Sequence, residues 1–188
     1  MSKKSCVLIL VILALVLGLA GQAWAKPTVK PTMNYHADFV ALNGSMVSGH
    51  AQLQVKGTTL KVHMEIMGLT ARQLHEQSIM GMMDGSMAVV PPLTADRNHD
   101  GFITFPEIKP YCGKVLLPLT PYPVGTRHGS LVFDRTYALS AQGSLDLATV
   151  PLERRVIVLQ GKKVCPPYMI PFYWPELPVA CAQIYPIN

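Results

Sequence analysis

The sequence predicts an all-β fold. Three observations carry that expectation. Apolar and polar residues alternate with a two-residue period in several segments. Short turn-like separators containing Asn-Gly or a lone Gly stand between the first of them. No stretch after the N-terminal apolar run has the length and period of a long helix.

The clearest strand is TLKVHMEIMGL, residues 59–69. Leu60, Val62, Met64 and Ile66 fall on one side, and Lys61, His63 and Glu65 on the other. NYHADFVAL and VSGHAQLQV precede it, joined by NGSM and KGTT, so the three read as an antiparallel meander. Later strands are expected at SLVFDRTYAL, GSLDLATV, RRVIVLQG and PVACAQIY. GKVLLPLTP reads as a short strand broken by Pro118. The expected total is seven or eight strands in one domain. In CPPYMIPFYWPELP, Pro166, Pro167, Pro171 and Pro175 argue against a regular strand or helix interior. The aromatic residues among them, Tyr168, Phe172, Tyr173 and Trp174, suit a cover over one end of the fold or a partner-binding surface.

Residues 71–128 break the pattern. They are rich in Gly, Pro and Met, and a loop of that length inside one domain is expected to be functional or pinned by a ligand or bridge.

The chain opens with MSKK, an uncharged apolar run CVLILVILALVLGLA, and GQAWA, the three-part layout of a secretory signal peptide. Cleavage after Ala25 is expected, against the alternative of a retained anchor. It takes 25 of the 188 residues and leaves 163, residues 26–188, as a single β domain with a long insertion at 71–128. The protein is then exported, periplasmic or secreted, with no stable membrane insertion. Loss of Lys3 and Lys4 lowers the formal charge from +5 to +3, too mild to point to nucleic acid. Cys112, Cys165 and Cys181 remain; in an oxidising compartment one disulfide with one cysteine over is the natural count.

The window DRNHDGFITFPE, Asp96 to Glu107, carries the sharpest chemical signal. Asp96, Asn98, Asp100 and Glu107 fall at positions 1, 3, 5 and 12, with Gly101 at position 6 for the sharp turn. The Phe102 carbonyl falls at position 7, and Thr104 at position 9, where contact often runs through water. Ca2+ takes six to eight hard oxygens, so this is the spacing of an EF-hand calcium loop. Its context is unusual. Pro91 and Pro92 argue against an entering helix, Pro106 and Pro110 limit the exit to about one turn, and no second loop is present to pair with. A structural site fits better than a sensor.

A softer candidate lies upstream. SIMGMMDGSM holds Met80, Met82, Met83 and Met87, with His75 nearby; thioether sulfur suits Cu(I), and flexible core packing is the plainer alternative. His36 and His50 lie on neighbouring strands and face each other if the register allows. His128 and Ser130 read as a plain turn.

ALNGSMVSGHAQLQVKGTTLKVHMEIMGLT resembles the start of CHRD domains and their relatives, the copper–zinc superoxide dismutases. LERRVIVLQG and LPVACAQI resemble the dismutase strand that carries a copper histidine and the cysteine-bearing last strand. The resemblance implies a Greek-key β-sandwich. It also implies a disulfide from the last strand to the long loop, Cys112–Cys181, with Cys165–Cys181 as the rival. Where that family places its copper histidines, this chain has Ser78, Met80 and Gln160. No dismutase activity is therefore expected. The expectation is a non-enzymatic exported β-sandwich protein whose partner is a metal ion, one Ca2+ stapling the long loop. The alternatives are a copper-binding or vestigial dismutase-like protein using His75, Met80, Met82 and Met83, and a surface interaction module.

Overall fold

The computed structural model describes residues 31–139, 151–165 and 169–187. The expected signal peptide (residues 1–25), the GSLDLATV segment and Pro166 to Tyr168 lie outside the described residues. The all-β expectation holds. Among the described residues, nine antiparallel strands form one curled sheet: β1 Thr32–Ala41, β2 Ser48–Lys56, β3 Thr59–Met67, β4 Gln77–Gly81, β5 Lys114–Pro118, β6 Leu131–Ala138, β7 Val156–Val164, β8 Phe172–Gln183 and β9 Tyr185–Ile187. The order is β5-β4-β7-β8-β1-β2-β3-β6, with β9 paired to β1. A single helix of more than one turn, α1 Phe105–Cys112, stands among the described residues.

The sheet curls because β1 serves both halves. Thr32 to Asp38 pair with β2, and Phe39 to Ala41 pair with β8. The alternation read from sequence decides what lies between the halves. Tyr35, Leu53, Val62, Met64 and Phe133 from one half meet Ile79, Leu117, Ile157, Leu159 and Ala182 from the other in one buried cluster. The arrangement is sandwich-like; the Greek-key label belongs to the resemblance and is finer than this strand order.

Three elements depart from the sequence reading. β4 lies inside the stretch read as a loop. Gln77–Gly81 is buried at every residue, with β5 on one side and β7 on the other. A strand covered on both faces shows no alternation, and five residues give little else to detect. β8 begins at Phe172, inside the proline-rich segment expected to exclude strand. The pairing with β7 shifts register beside Gln160, so Lys162 faces Trp174 while Gln160 faces Pro178. The prolines sit where the ladder is already irregular, and there a missing N–H costs little. Finally, α1 runs two turns rather than one. Pro106 lies in its first turn, where an N–H has no intrahelical partner, so only Pro110 removes a bond.

A second apolar cluster lies on the outer face of β4, β7 and β8. Met80, Val156, Val158 and Cys181 pack there against Leu42, Ala88, Ala95, Ile103, Ile108 and Cys112. The long segment therefore lies along the sheet as its cover.

The outer face of the β1-β2-β3-β6 half is polar. Gln52 and Asp134 stand opposite His63 on its two sides, and Glu65 and Lys61 flank it along β3. His50 faces Asp38 directly and His36 diagonally, their rings stacked at 5.9 Å. His63 Nδ1 lies 2.7 Å from Asp134 and its Nε2 3.4 Å from Glu65. The hydrogen bond to Asp134, opposed in part by desolvation and helped by Glu65, raises the His63 pKa above its ordinary value. A raised folded-state pKa stabilises the fold fully below the unfolded value of about 6.5, and that contribution is lost as pH rises through the folded pKa. An NMR titration should place His63 above 6.5, with Asp134→Asn lowering it. An unchanged His63 midpoint in the variant would show that Asp134 does not set it.

Candidate metal centre

The window Asp96–Glu107 folds as a tight curl between a single 3-10 turn, Leu93–Ala95, and helix α1. The prolines before it admit that one turn and no entering helix, as the sequence implied. Gly101 has φ +86° and His99 φ +58°, so the backbone visits the left-handed region twice within three residues. Glycine meets the demand at position 6 without strain.

Hydrogen bonds within the loop hold its oxygens. Gly101 N–H donates to Asp96 Oδ2 at 3.0 Å, and Asp100 N–H to Asn98 Oδ1 at 3.1 Å. Phe102 N–H donates to Asp100 Oδ1 at 2.8 Å, while Asn98 Nδ2 donates to Asp100 Oδ2 at 2.9 Å. Glu107 closes the curl from the helix. Its Oε2 accepts from Thr104 N–H at 2.8 Å and from the Thr104 hydroxyl at 2.7 Å; its Oε1 accepts from Arg97 N–H at 3.0 Å. These donors, the Thr104 N–H first and the Thr104 hydroxyl next, hold the Glu107 carboxyl down to about 2. Glu107 thus acts as the third residue of a capping box for α1. Thr104, expected at the water-mediated position, spends its hydroxyl on that cap.

The donor set fits calcium. It is all oxygen, and a carboxylate oxygen that accepts one N–H keeps a further lone pair. Asp96 Oδ1 is buried and has no hydrogen-bond partner. A lone buried carboxylate oxygen is costly, and a cation beside it would remove the cost. As placed, no three His, Cys, Asp or Glu side chains among the described residues form a metal cage. The loop's carboxylates are turned toward its own N–H groups instead.

The rest of the segment is tied to the sheet. Ile103 and Ile108 are buried in the outer cluster, and the Phe102 ring meets Trp174 edge-on at 5.9 Å. α1 ends at Gly113, whose φ is +78° and where a Cβ would overlap the Gly81 carbonyl. Only glycine lets the helix stop against β4 there.

In the copper set expected as an alternative, His75 is turned to other partners. His75 is fully buried, with Nδ1 3.0 Å from the Gln160 carbonyl and Nε2 2.9 Å from the Thr70 carbonyl. Each ring nitrogen lies against a backbone carbonyl, and the nitrogen that carries the proton donates to the one it faces. Met80 lies five residues on, roughly 16 Å of extended chain, in the outer cluster. Met83 and Met87 are each 53% exposed. Met80 packs, and Met82 offers its carbonyl to Arg155. In the aromatic segment, the Tyr173 hydroxyl donates to the Leu74 carbonyl and Trp174 packs on Phe102. Met169, Ile170 and Phe172 face outward.

Cys112 and Cys181 are both buried in the outer cluster and are free thiols here; Cys165 is an exposed thiol. Hydrogen bonding with the Cys112 thiol, together with burial, pushes the Cys181 thiol well up. The rival pairing Cys165–Cys181 is excluded by register. Cys181 faces Val158, whereas Cys165 lies beyond the Val164–Phe172 pair at the far end of the same ladder. Cys165 lies seven residues along the chain from Val158, the β7 residue that faces Cys181, roughly 23 Å in an extended strand, against the ~4.4–6.8 Å between Cα atoms that a disulfide requires.

Thiol labelling of reduced protein lacking residues 1–25 should therefore find Cys165 reactive in the native state and the other two only on unfolding. Rapid labelling of Cys112 or Cys181 would show that the outer cluster does not close over them.

Comparison with known proteins returns no relationship: no family model matches this sequence, and no curated protein matches it.

Proposed function

We propose that this chain is an exported, non-enzymatic β-protein that binds one Ca2+ in the Asp96–Glu107 loop. The observation that carries the reading is Asp96 Oδ1, a buried carboxylate oxygen without a partner at the first position of a calcium-loop spacing. Asn98, Asp100, the Phe102 carbonyl and Glu107 would supply the remaining protein oxygens, and Ca2+ would supply a point charge that draws them together. The ion acts as a staple. It holds the cover segment in its curl, and through Glu107 it holds the start of α1.

A sensor role is disfavoured by the surroundings. A sensor needs two helices that can change angle, and one side of this loop is a single 3-10 turn. The other side is packed through Ile108 and Cys112. Affinity in the range of other extracellular calcium modules, Kd about 10⁻⁴–10⁻³ M, suits such a staple. The adjacent buried thiols of Cys112 and Cys181 support a second staple, a disulfide formed after export that joins the end of α1 to β8. The all-β architecture supports the resemblance to CHRD domains and dismutases as a proposal about ancestry, without their chemistry.

Thermal unfolding with and without Ca2+ tests the reading. At a hundredfold excess over Kd, binding should add about 2.7 kcal/mol, which raises Tm by roughly 5–10 °C for a domain of this size. Asp96→Asn combined with Glu107→Gln should abolish the response. An unchanged Tm in the unsubstituted protein at ~100 mM Ca2+, a hundredfold over the weaker end of that Kd range, would reject the proposal.

A further inference from the structure

The calcium loop has no second loop to pair with, yet Ile103 at its eighth position is not left unpaired. Ile103 N–H donates to Asn43 Oδ1 at 2.6 Å, and Asn43 Nδ2 donates back to the Ile103 carbonyl at 2.9 Å. The same Nδ2 donates to the Pro178 carbonyl at 2.8 Å. A side-chain carboxamide carries one C=O and N–H donors in one plane, so it can pair with a residue as a neighbouring backbone would. We propose that Asn43 is the positioning residue of the calcium loop, its side-chain amide taking the place of a partner loop's backbone. This inference rests on the calcium reading of the loop.

The effect on the loop follows from peptide planarity. In a trans peptide the C=O and the following N–H point in opposite directions. Fixing Ile103 N–H on Asn43 therefore turns the Phe102 carbonyl away from Asn43, and Phe102 is the position expected to ligate through its carbonyl. Fixing the Ile103 carbonyl on Asn43 turns the next N–H, that of Thr104, the opposite way. That N–H is bound to Glu107 Oε2 at 2.8 Å. One side chain thus orients two successive peptide planes, one carrying a ligand carbonyl and the other holding the closing carboxylate.

Asn43 is itself held firmly. It sits in the β1–β2 turn at φ +56°, followed by Gly44 at φ +59°. Leu42 N–H donates to the Val179 carbonyl at 2.8 Å, and Lys162 Nζ donates to the Asn43 carbonyl. Leu42 also packs in the cluster that contains Ile103. Two requirements meet at this position. The backbone needs a residue that tolerates the left-handed region, and the loop needs a short group that both donates and accepts. Glycine and aspartate meet the first but lack the donors; glutamine has the donors but is a methylene longer. Asparagine meets both.

Amide hydrogen exchange and calcium titration on Asn43→Gly and Asn43→Asp test the proposal. Asn43→Gly keeps the turn and removes the amide. In calcium-free protein it should lower the protection of the Ile103 and Thr104 amides about tenfold, and it should weaken Ca2+ binding by a similar factor. Asn43→Asp keeps an acceptor, so Ile103 should stay protected while Thr104 loses protection. This variant carries the test by itself if Asn43→Gly does not fold. Unchanged Thr104 protection in either folded variant, or a Kd for Asn43→Gly within twofold of the unsubstituted protein, would overturn the role of Asn43. Failure of the unsubstituted protein to bind Ca2+ would reject Asn43 as a calcium-positioning residue along with the calcium reading. The Ile103 and Thr104 exchange rates would then show separately whether Asn43 still anchors the loop.

Discussion

Strand β4 and the first six residues of β7 are buried on both faces, and the remaining architecture answers that constraint. One face of each meets the interior of the curled sheet, through Ile79, Ile157 and Leu159. The opposite face carries Met80, Val156 and Val158, which water would otherwise wet. Burying a side chain of this kind is worth roughly 1.5–3 kcal/mol, so the sheet strongly favours any segment that can lie over it. The other half of the sheet has no such need. Its outer face carries Gln52, Lys61, His63, Glu65 and Asp134, and faces solvent.

The segment that supplies the cover is poorly suited to hold its own shape. It has many prolines and glycines, one two-turn helix and no hydrophobic core apart from the face it shares with the sheet. Its order is assembled from discrete ties. Ile103 and Ile108 are apolar knobs, Gly113 ends the helix against β4, and Glu107 caps the helix while closing the curl. Asn43 reaches across from a turn 60 residues away. Within this set Asp96 is incomplete, with one buried oxygen unmatched. The proposed divalent cation would supply that oxygen with its missing partner, a structural role.

The parts of the fold legible in the sequence are those with a single wet face. β1, β2, β3 and β6 alternate because one side meets water, and Leu60 through Ile66 give the register almost residue by residue. β4 was hidden because burial on both faces erases that period. The first half of β8 was hidden because Pro171 and Pro175 signal loop, and the register shifts in this part of the ladder arise only from pairing with β7. The proposed metal loop is legible as spacing, since its candidate ligands come from twelve consecutive residues. Its setting was not. Asn43 shows in sequence only as half of an Asn-Gly turn, and nothing local indicates that its amide is spent on Ile103. His75 gave the opposite lesson: its proximity in sequence to methionines suggested a soft-metal site, while its ring is buried between the carbonyls of Thr70 and Gln160.

The central claim is that the cover of the sheet is closed by a single calcium ion. Equilibrium dialysis of the mature protein against ~10 mM Ca2+, tenfold or more above the proposed Kd, with bound metal counted after subtraction of the free ion, addresses it most directly. The account requires one Ca2+ per chain, lost on substitution of Asp96. A stoichiometry of zero for the unsubstituted protein, or one that persists after Asp96 is replaced, would contradict it.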